Sequence, residues 1–395
     1  MRRLLLLVAV LVFVDTMLYA ALTPLLPHFA DELGLSKLGA GILVAAYPAG
    51  ALIGGLPGGA AAARLGPRRA VIVGLVGMGL ASLGFALADG FWGLFAARLV
   101  QGFGSAFTWA GAFAWLLAAA PRERRGQLIG SAMGAAVFGA LFGPVIGAAA
   151  ALVGRTPIFA GLAGLSVILI AATLRLEPTP VEHPSAAAIG RALRDYRFAA
   201  GLGLMALASL LFGILAVLGP LRLSDAGWGA AGIGAIWLTG AAVETVGSPL
   251  MGRLIDRRGK LVPVRIALAF GAALALCLAA SPRPLFYAPL IVLCAAAFGV
   301  LFTPAFALIA DGAEGVGLPQ GMAFGFMSAA WATGAFIGPA AGGAIAGATS
   351  DWIPFVLGAV LCALAFVLAR PASDHVGAAV MVDRLPGDAA GVPGK

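Results

Sequence analysis

The sequence has no asparagine and only three histidines, three cysteines and three lysines among 395 residues. Charged side chains make up 11% of it, against 61% hydrophobic. A soluble chain of this length needs far more charge to cover its surface, so a soluble globular protein is excluded. Cys277, Cys294 and Cys362 all fall inside apolar runs and form no CxxC pair, so they read as small buried hydrophobes. No metal-ligand cluster, nucleophile–histidine pair or phosphate loop is present. The chain is therefore read as a non-enzyme, and no cofactor or metal is expected. The short alternating segments of a membrane β-barrel are also missing. The lack of asparagine, with 22 arginines against three lysines, matches a GC-rich bacterial genome by association alone.

What fills the sequence is a series of apolar runs of about 20 residues or more, set between short clusters of charge. That is the length a helix needs to cross roughly 30 Å of hydrocarbon. The 57 glycines and 24 prolines would disrupt soluble helices, but small residues let spanning helices pack closely. Helices are predicted at 4–27, 38–61, 70–88, 91–117, 127–151, 157–175, 198–220, 229–252, 262–280, 285–309, 320–347 and 352–369. The fold class is an all-α membrane protein with twelve transmembrane helices in two six-helix halves. The halves are 1–175 and 198–370, joined by a proline-rich cytoplasmic linker at 176–197 and followed by a disordered tail at 371–395. Arg2 and Arg3 before an apolar run imitate a signal peptide. The run continues to Leu26 and carries Asp15, so it reads as a retained first helix.

The net charge of +8 would suit a nucleic-acid partner until the charges are placed. With both termini in the cytoplasm, twenty arginines and lysines fall on inside loops and four on outside loops. That bias orients a multi-pass protein of the bacterial inner membrane and removes the reason to expect nucleic acid. The bilayer is therefore an expected partner, and the chain is expected to be a monomer.

The two halves repeat. Gly126, Gly130, Gly139, Gly143-Pro144 and Gly147 recur 195 positions later as Gly321, Gly325, Gly334, Gly338-Pro339 and Gly342. Phe103-Gly104 and Phe107-Thr108 recur as Phe298-Gly299 and Phe302-Thr303. An even helix count per half implies parallel halves about an axis along the membrane normal, with a substrate site between them near the midplane. Gly50, Gly54 and Gly58, like Gly334, Gly338 and Gly342, have GxxxG spacing, which serves close helix crossing.

Three ionisable side chains fall deep in predicted helices: Asp15, Arg98 and Glu244. A charge there costs at least about 2.5–3.5 kcal/mol, so such residues are functional by default. Asp15, with Tyr19 one turn on, is either a protonatable coupling site or a structural partner of Arg98. Arg98 shares a stripe with Gln101, Ser105 and Trp109. A guanidinium does not release protons at useful pH, so its role is to tune a carboxylate and anchor hydrogen bonds. Glu244 shares a face with Trp237 and Ser248. Without an arginine partner it can carry a proton or hold a cationic substrate, with aromatic faces assisting; the alternative is a structural acid bonded to a helix terminus or a serine. Tyr19, Gln101, Trp109, Trp237, Phe302, Phe324 and Trp331 are the candidate substrate-binding residues, with helix packing as the alternative for each aromatic.

The run Arg98-Leu99-Val100-Gln101-Gly102-Phe103-Gly104 resembles the RxxQGxG signature of the major facilitator superfamily. Gly139, Gly143-Pro144 and Gly147 resemble that superfamily's antiporter motif. Gly252, Asp256, Arg257 and Gly259 resemble its cytoplasmic loop motif, and Gly59, Arg64, Gly66 and Arg68 form the first copy. Asp15-Thr16 followed by Pro24 and Pro27 is similar to the first helix of the twelve-helix drug:proton antiporters. The resemblance implies proton-coupled export of small hydrophobic compounds, cationic ones among them, by alternating access. It also implies that helix 2 faces helix 11 and helix 5 faces helix 8, with tight glycine contacts that let the halves rock. A specific metabolite or sugar exporter is the alternative within transport, and a non-transporting membrane sensor the alternative outside it. The first loop motif departs from the family pattern at Ala63, where the usual acid is absent. A cytoplasmic lock would then rest on Asp256, placed near the start of helix 5.

Overall fold

The computed structural model describes residues 2–121, 125–177, 186–281, 286–318 and 320–369. The expected tail at 371–395 and the middle of the expected linker, 178–185, lie outside the described residues.

The first span consists of α1 (Arg2–Ala20), a 3-10 turn (Thr23–Leu25) and α2 (Leu26–Glu32). It is followed by α3 (Lys37–Arg64), α4 (Pro67–Leu87), α5 (Phe91–Ala119), α6 (Arg125–Val153) and α7 (Arg155–Leu174). A short basic helix, α8 (Ala186–Arg194), falls inside the expected linker. The second half holds α9 (Tyr196–Asp225), α10 (Ala230–Arg258), α11 (Leu261–Ala280), α12 (Tyr287–Val300), α13 (Phe302–Gly315), α14 (Gln320–Ala348) and α15 (Trp352–Leu368). Among the described residues, ten segments are long and apolar enough to cross a membrane, with α12 and α13 together counting as one. The 29-residue α14 and the 17-residue apolar α15 complete twelve.

Two spans predicted as single helices are broken. Pro24 and Pro27 interrupt the first, because proline cannot give its N–H to the preceding turn. The tenth, expected at 285–309, divides at Leu301 into α12 and α13. Pro304 has no N–H to offer the carbonyl of Val300, and the ladder stops there. Its counterpart in the first half, α5, runs uninterrupted for 29 residues.

Packing repeats between the halves. In the first, α1 lies on α6, α3 and α4 on α5, and α4 on α7; in the second, α9 lies on α14, α10 and α11 on α12, and α11 on α15. The halves meet where α3 faces α14 and α6 faces α10, as expected for helices 2 with 11 and 5 with 8. The glycine repeat explains the correspondence. Gly139, Gly143 and Gly147 press against the carbonyls of Phe13, Met17 and Ala21, while Gly334 and Gly338 press against those of Ala206 and Leu210. A Cβ at any of these positions would collide with the facing backbone. With no water to drive helices together, such backbone-to-backbone approach supplies the attraction.

The expectation that the glycine stripes let the halves rock is corrected by these contacts. Gly50, Gly54 and Gly58 pack on α5, within the first half, and the other two stripes also fasten helices of one half to each other. Different glycines serve the seam between halves: Gly41 meets the Pro339 carbonyl, Gly343 the Lys37 carbonyl, and Gly234 the Pro144 carbonyl. Midway along α6 and α10 the seam has an open recess of about 150 Å³ lined by Val137, Phe138, Leu141, Ala242 and Thr245, of which Val137, Phe138 and Ala242 are exposed.

The loop motifs gather at the end of the bundle that carries the linker. Gly66 (φ 90°) precedes α4 and Gly259 (φ 71°) terminates α10, both in the left-handed region that favours glycine. Arg68 donates to the Leu176 carbonyl at 3.1 Å. Gly59, Arg64 and Arg257 are exposed, and Gly252 has open space beside it. The lock expected from Asp256 falls on a side chain outside the described residues. Lys260 ties this loop to α13, pairing with Asp311 and donating to the Ala307 carbonyl at 2.9 Å.

At the opposite end, Lys37 at the start of α3 pairs with Asp351 at the cap of α15, 2.5 Å apart. Among the described ion pairs, this is the one that joins the two halves. Arg222, in the last turn of α9, approaches the other Asp351 oxygen at 3.8 Å and lies over the rings of Tyr287 and Phe355.

Candidate functional site

The break after α1 creates the first element of the site. The last carbonyls of a helix have no partners within it. Arg98 of α5 supplies them: Nη1 donates to the Leu18 carbonyl at 3.1 Å and Nη2 to the Tyr19 carbonyl at 3.2 Å. Nη1 also donates to Gln101 Oε1 at 2.8 Å, one turn along α5. The negative end of the helix dipole thus faces the guanidinium and offsets its charge. Arg98 is 3% exposed, and its Nε has no partner.

Asp15 is 1% exposed, and it forms no ion pair with Arg98 among the described residues. Its Oδ2 accepts from Tyr47 Oη at 2.9 Å and from Trp109 Nε1 at 2.6 Å. Tyr47 Oη also lies 2.8 Å from Ser105 Oγ. Asp15 Oδ1 is buried without any partner. Three helices therefore converge on one carboxylate: α1 carries it, α3 brings Tyr47, and α5 brings Ser105 and Trp109. Thr16 Oγ1, next in sequence, lies 2.9 Å from both the Val12 carbonyl of its own helix and the Ala136 carbonyl of α6.

The second half adds a wall of aromatic rings from α14. Trp331 meets Tyr19 edge-on at 5.3 Å, and Phe324 stacks on Phe113 at 4.8 Å, which in turn stacks on Trp109 at 5.4 Å. Tyr19 lies 5.0 Å from Tyr47. Offset and edge-to-face contacts of this kind contribute about 0.5–1.5 kcal/mol each beyond area. The first half thus supplies the site's hydrogen-bonding groups together with rings of its own, and α14 of the second half adds the rings of Phe324 and Trp331.

Of the sequence-predicted residues, the structure brings together Asp15, Tyr19, Arg98, Gln101, Trp109, Phe324 and Trp331. It leaves Glu244, Trp237 and Phe302 elsewhere. The Glu244 carboxylate is half-buried and seated over Gly299 of α12, in a seam internal to the second half. A side chain at Gly299 would collide with it. Trp237 is buried against Phe212, with its Nε1 unpartnered. Phe302 begins α13 and packs on the core. The reading of a face shared by Trp237 and Glu244 points to α9 and α12 rather than to the aromatic wall. Tyr47 is the site residue that sequence reasoning missed; one of four tyrosines in an apolar run was the available signal.

Residues 8–318 match the family model of the Major Facilitator Superfamily. An uncharacterized MFS-type transporter of Enterobacter sp. (strain 638), Ent638_1421, is 26% identical over 258 residues, covering 64% of this chain and 66% of the relative. The uncharacterized MFS-type transporter YcaD of Salmonella newport is 25% identical over 255 residues, with the same shares. The chain thus spans 66% of the length of these relatives, just under two thirds. Two solved structures share the fold. A bacterial homolog of the human lysosomal transporter Spinster, inward-facing and unoccupied, has a TM-score of 0.75 at 14% identity, covering 93% of this chain and 96% of that one. The nucleoside transporter NupG has a TM-score of 0.69 at 16% identity, covering 93% and 98%. With its family model, paired halves and helix-for-helix packing, the chain belongs to the Major Facilitator Superfamily, whose members are membrane carriers rather than enzymes.

Proposed function

We propose that this carrier exports small hydrophobic compounds, cationic ones among them, from the bacterial cytoplasm in exchange for protons, with Asp15 as the principal coupling acid. The observation that carries this reading is the unpartnered, buried Oδ1 of Asp15, in a site where Trp331 and Phe324 of the second half pack on Tyr19 and Phe113 of the first. A lone carboxylate oxygen in an apolar site is stabilised by a proton or by a cationic ligand, and occupation by one excludes the other. That exclusion couples the two fluxes, since each ligand can shift the conformational equilibrium only by its differential affinity for the two states. Arg98 contributes by holding the broken first span around the site. Glu244 is proposed as a second proton site, with no hydrogen-bond or ion-pair partner described for it.

The bundle end with the linker and loop motifs is taken as cytoplasmic, in the inner membrane, and the end with the Lys37–Asp351 pair as external. Domain boundaries at 175, 198 and 370 and a monomeric state belong to the same proposal. Each proton crossing inward brings about 2.3 kcal/mol per 100 mV, plus the pH gradient. The test is proton release from purified protein in detergent as lipophilic cations and neutral drugs are added. Release by the wild type, lost in Asp15→Asn, supports the proposal. Release that persists in Asp15→Asn and disappears in Glu244→Gln moves the coupling to Glu244. Binding without release by any variant indicates a facilitator or sensor.

A further inference from the structure

Arg98 and Asp15 do not bond, yet they share a neighbour. Tyr47 is 2% exposed, and its ring lies 5.0 Å from the Arg98 guanidinium carbon. Its hydroxyl donates to Asp15 Oδ2 at 2.9 Å. A phenol has one proton, so with that proton on Asp15 the 2.8 Å contact to Ser105 must have the serine hydroxyl as donor. A directed chain results, from Ser105 through Tyr47 to Asp15, with Trp109 Nε1 arriving at the same oxygen from one turn further along α5.

Backbone contact fixes Tyr47 in this place. A Cβ on Gly102 would collide with the Tyr47 carbonyl, and one on Gly50 would collide with the Leu99 carbonyl. The α3–α5 crossing is therefore at its closest beside this tyrosine. Gly102 sits within the Arg98-to-Gly104 signature, so the signature's glycine sets the distance at which Tyr47 reaches Asp15.

The two donors fall on one oxygen. Oδ2 already accepts from an O–H and an N–H, which occupies both of its lone-pair directions. Oδ1 accepts from nothing. We infer that Tyr47 is a positioning residue that links Arg98 to the coupling acid and, together with Trp109, directs the carried proton to Asp15 Oδ1. This rests on the reading of Asp15 as the coupling acid. Protonation forms the Oδ1–H bond and leaves Oδ2 as the carbonyl oxygen, still accepting from Tyr47 and Trp109. On release the proton leaves from Oδ1, and neither the tyrosine nor the arginine changes its own protonation.

Infrared difference spectra of the full-length protein, recorded on substrate addition and on a pH step, test this. The carboxyl C=O band of Asp15 is identified by its loss in Asp15→Asn. Tyr47→Phe keeps the ring under Arg98 and removes one of the two hydrogen bonds to that carbonyl oxygen. The expected result is an Asp15 band moved to higher wavenumber in Tyr47→Phe, and moved the same way in Trp109→Phe. An Asp15 band at the wild-type position in both variants overturns the inference while leaving Asp15 as coupling acid. A wild-type spectrum with no band sensitive to Asp15→Asn, alongside intact proton-coupled export by that variant, overturns the coupling reading and the inference with it.

Discussion

Removing the amine of Lys37 should favour opening of the bundle at the end opposite the linker. Lys37 and Asp351 are 36% and 21% exposed, so their bond is neither fully screened nor fully desolvated. Exposed pairs contribute about 0.2–1 kcal/mol, and the upper end of that range suits a partly shielded, closely spaced pair, which puts this bond near 1 kcal/mol. That corresponds to about a fivefold change in the ratio of closed to open molecules. Lys37→Met removes only the bond between halves and leaves Asp351 with Arg222. Asp351→Asn weakens both contacts. Spin labels on cysteines at Leu38 and Trp352, both exposed and flanking the pair, report the separation in a background free of native cysteines. Lys37→Met and Asp351→Asn should each enlarge the long-distance population about fivefold, and high salt should reproduce part of the effect in the wild type. If Asp351→Asn enlarges it and Lys37→Met does not, the bond between halves is not the latch and the estimate fails.

Gly299→Ala should destabilise the protein by about 1–3 kcal/mol through collision with the Glu244 carboxylate. In a Glu244→Ala background the penalty should vanish, a coupling measured by thermal unfolding of all four variants in detergent. Arg98→Lys should lower stability by about 1.5–3 kcal/mol, because a single ammonium cannot reach the Leu18 and Tyr19 carbonyls and Gln101 in the guanidinium's fixed geometry; denaturation monitored by tryptophan fluorescence reads it. Pro304→Ala should restore an N–H for the Val300 carbonyl and join α12 to α13. Substrate affinity by equilibrium binding should stay within about twofold while turnover in everted vesicles changes, and unchanged turnover would show that the break has no part in the cycle.

The spans were legible because their length and apolarity are dictated by the bilayer. The two-half architecture was legible because Gly139, Gly143 and Gly147 must be glycine for the same steric reason as Gly334 and Gly338. Arg98, Gln101, Ser105 and Trp109 could be grouped because they recur on one face of a single helix. Tyr47 could not, since every group it serves belongs to another helix. The same limit applies to Glu244: spacing placed it with Trp237, but nothing local tells whether that face meets the aromatic wall or α12. Lys37 counted only among the four basic residues on outside loops, and nothing local links it to Asp351, 314 positions away, until the fold pairs them. Pro304 announced the break at Leu301, yet the apolar run continued through it and concealed the division.

The site's two walls differ in kind, and this bears on how the carrier can evolve. The hydrogen bonds to Asp15 of α1 come from α3 and α5, whereas α14 contributes the rings of Trp331 and Phe324. On the proposed function, substitutions on α14 would reshape which compounds fit without touching a hydrogen-bond donor to the acid. Selection for a new cargo would then have α14 on which to work, while the hydrogen bonds of Asp15, all made within the first half, stay as they are.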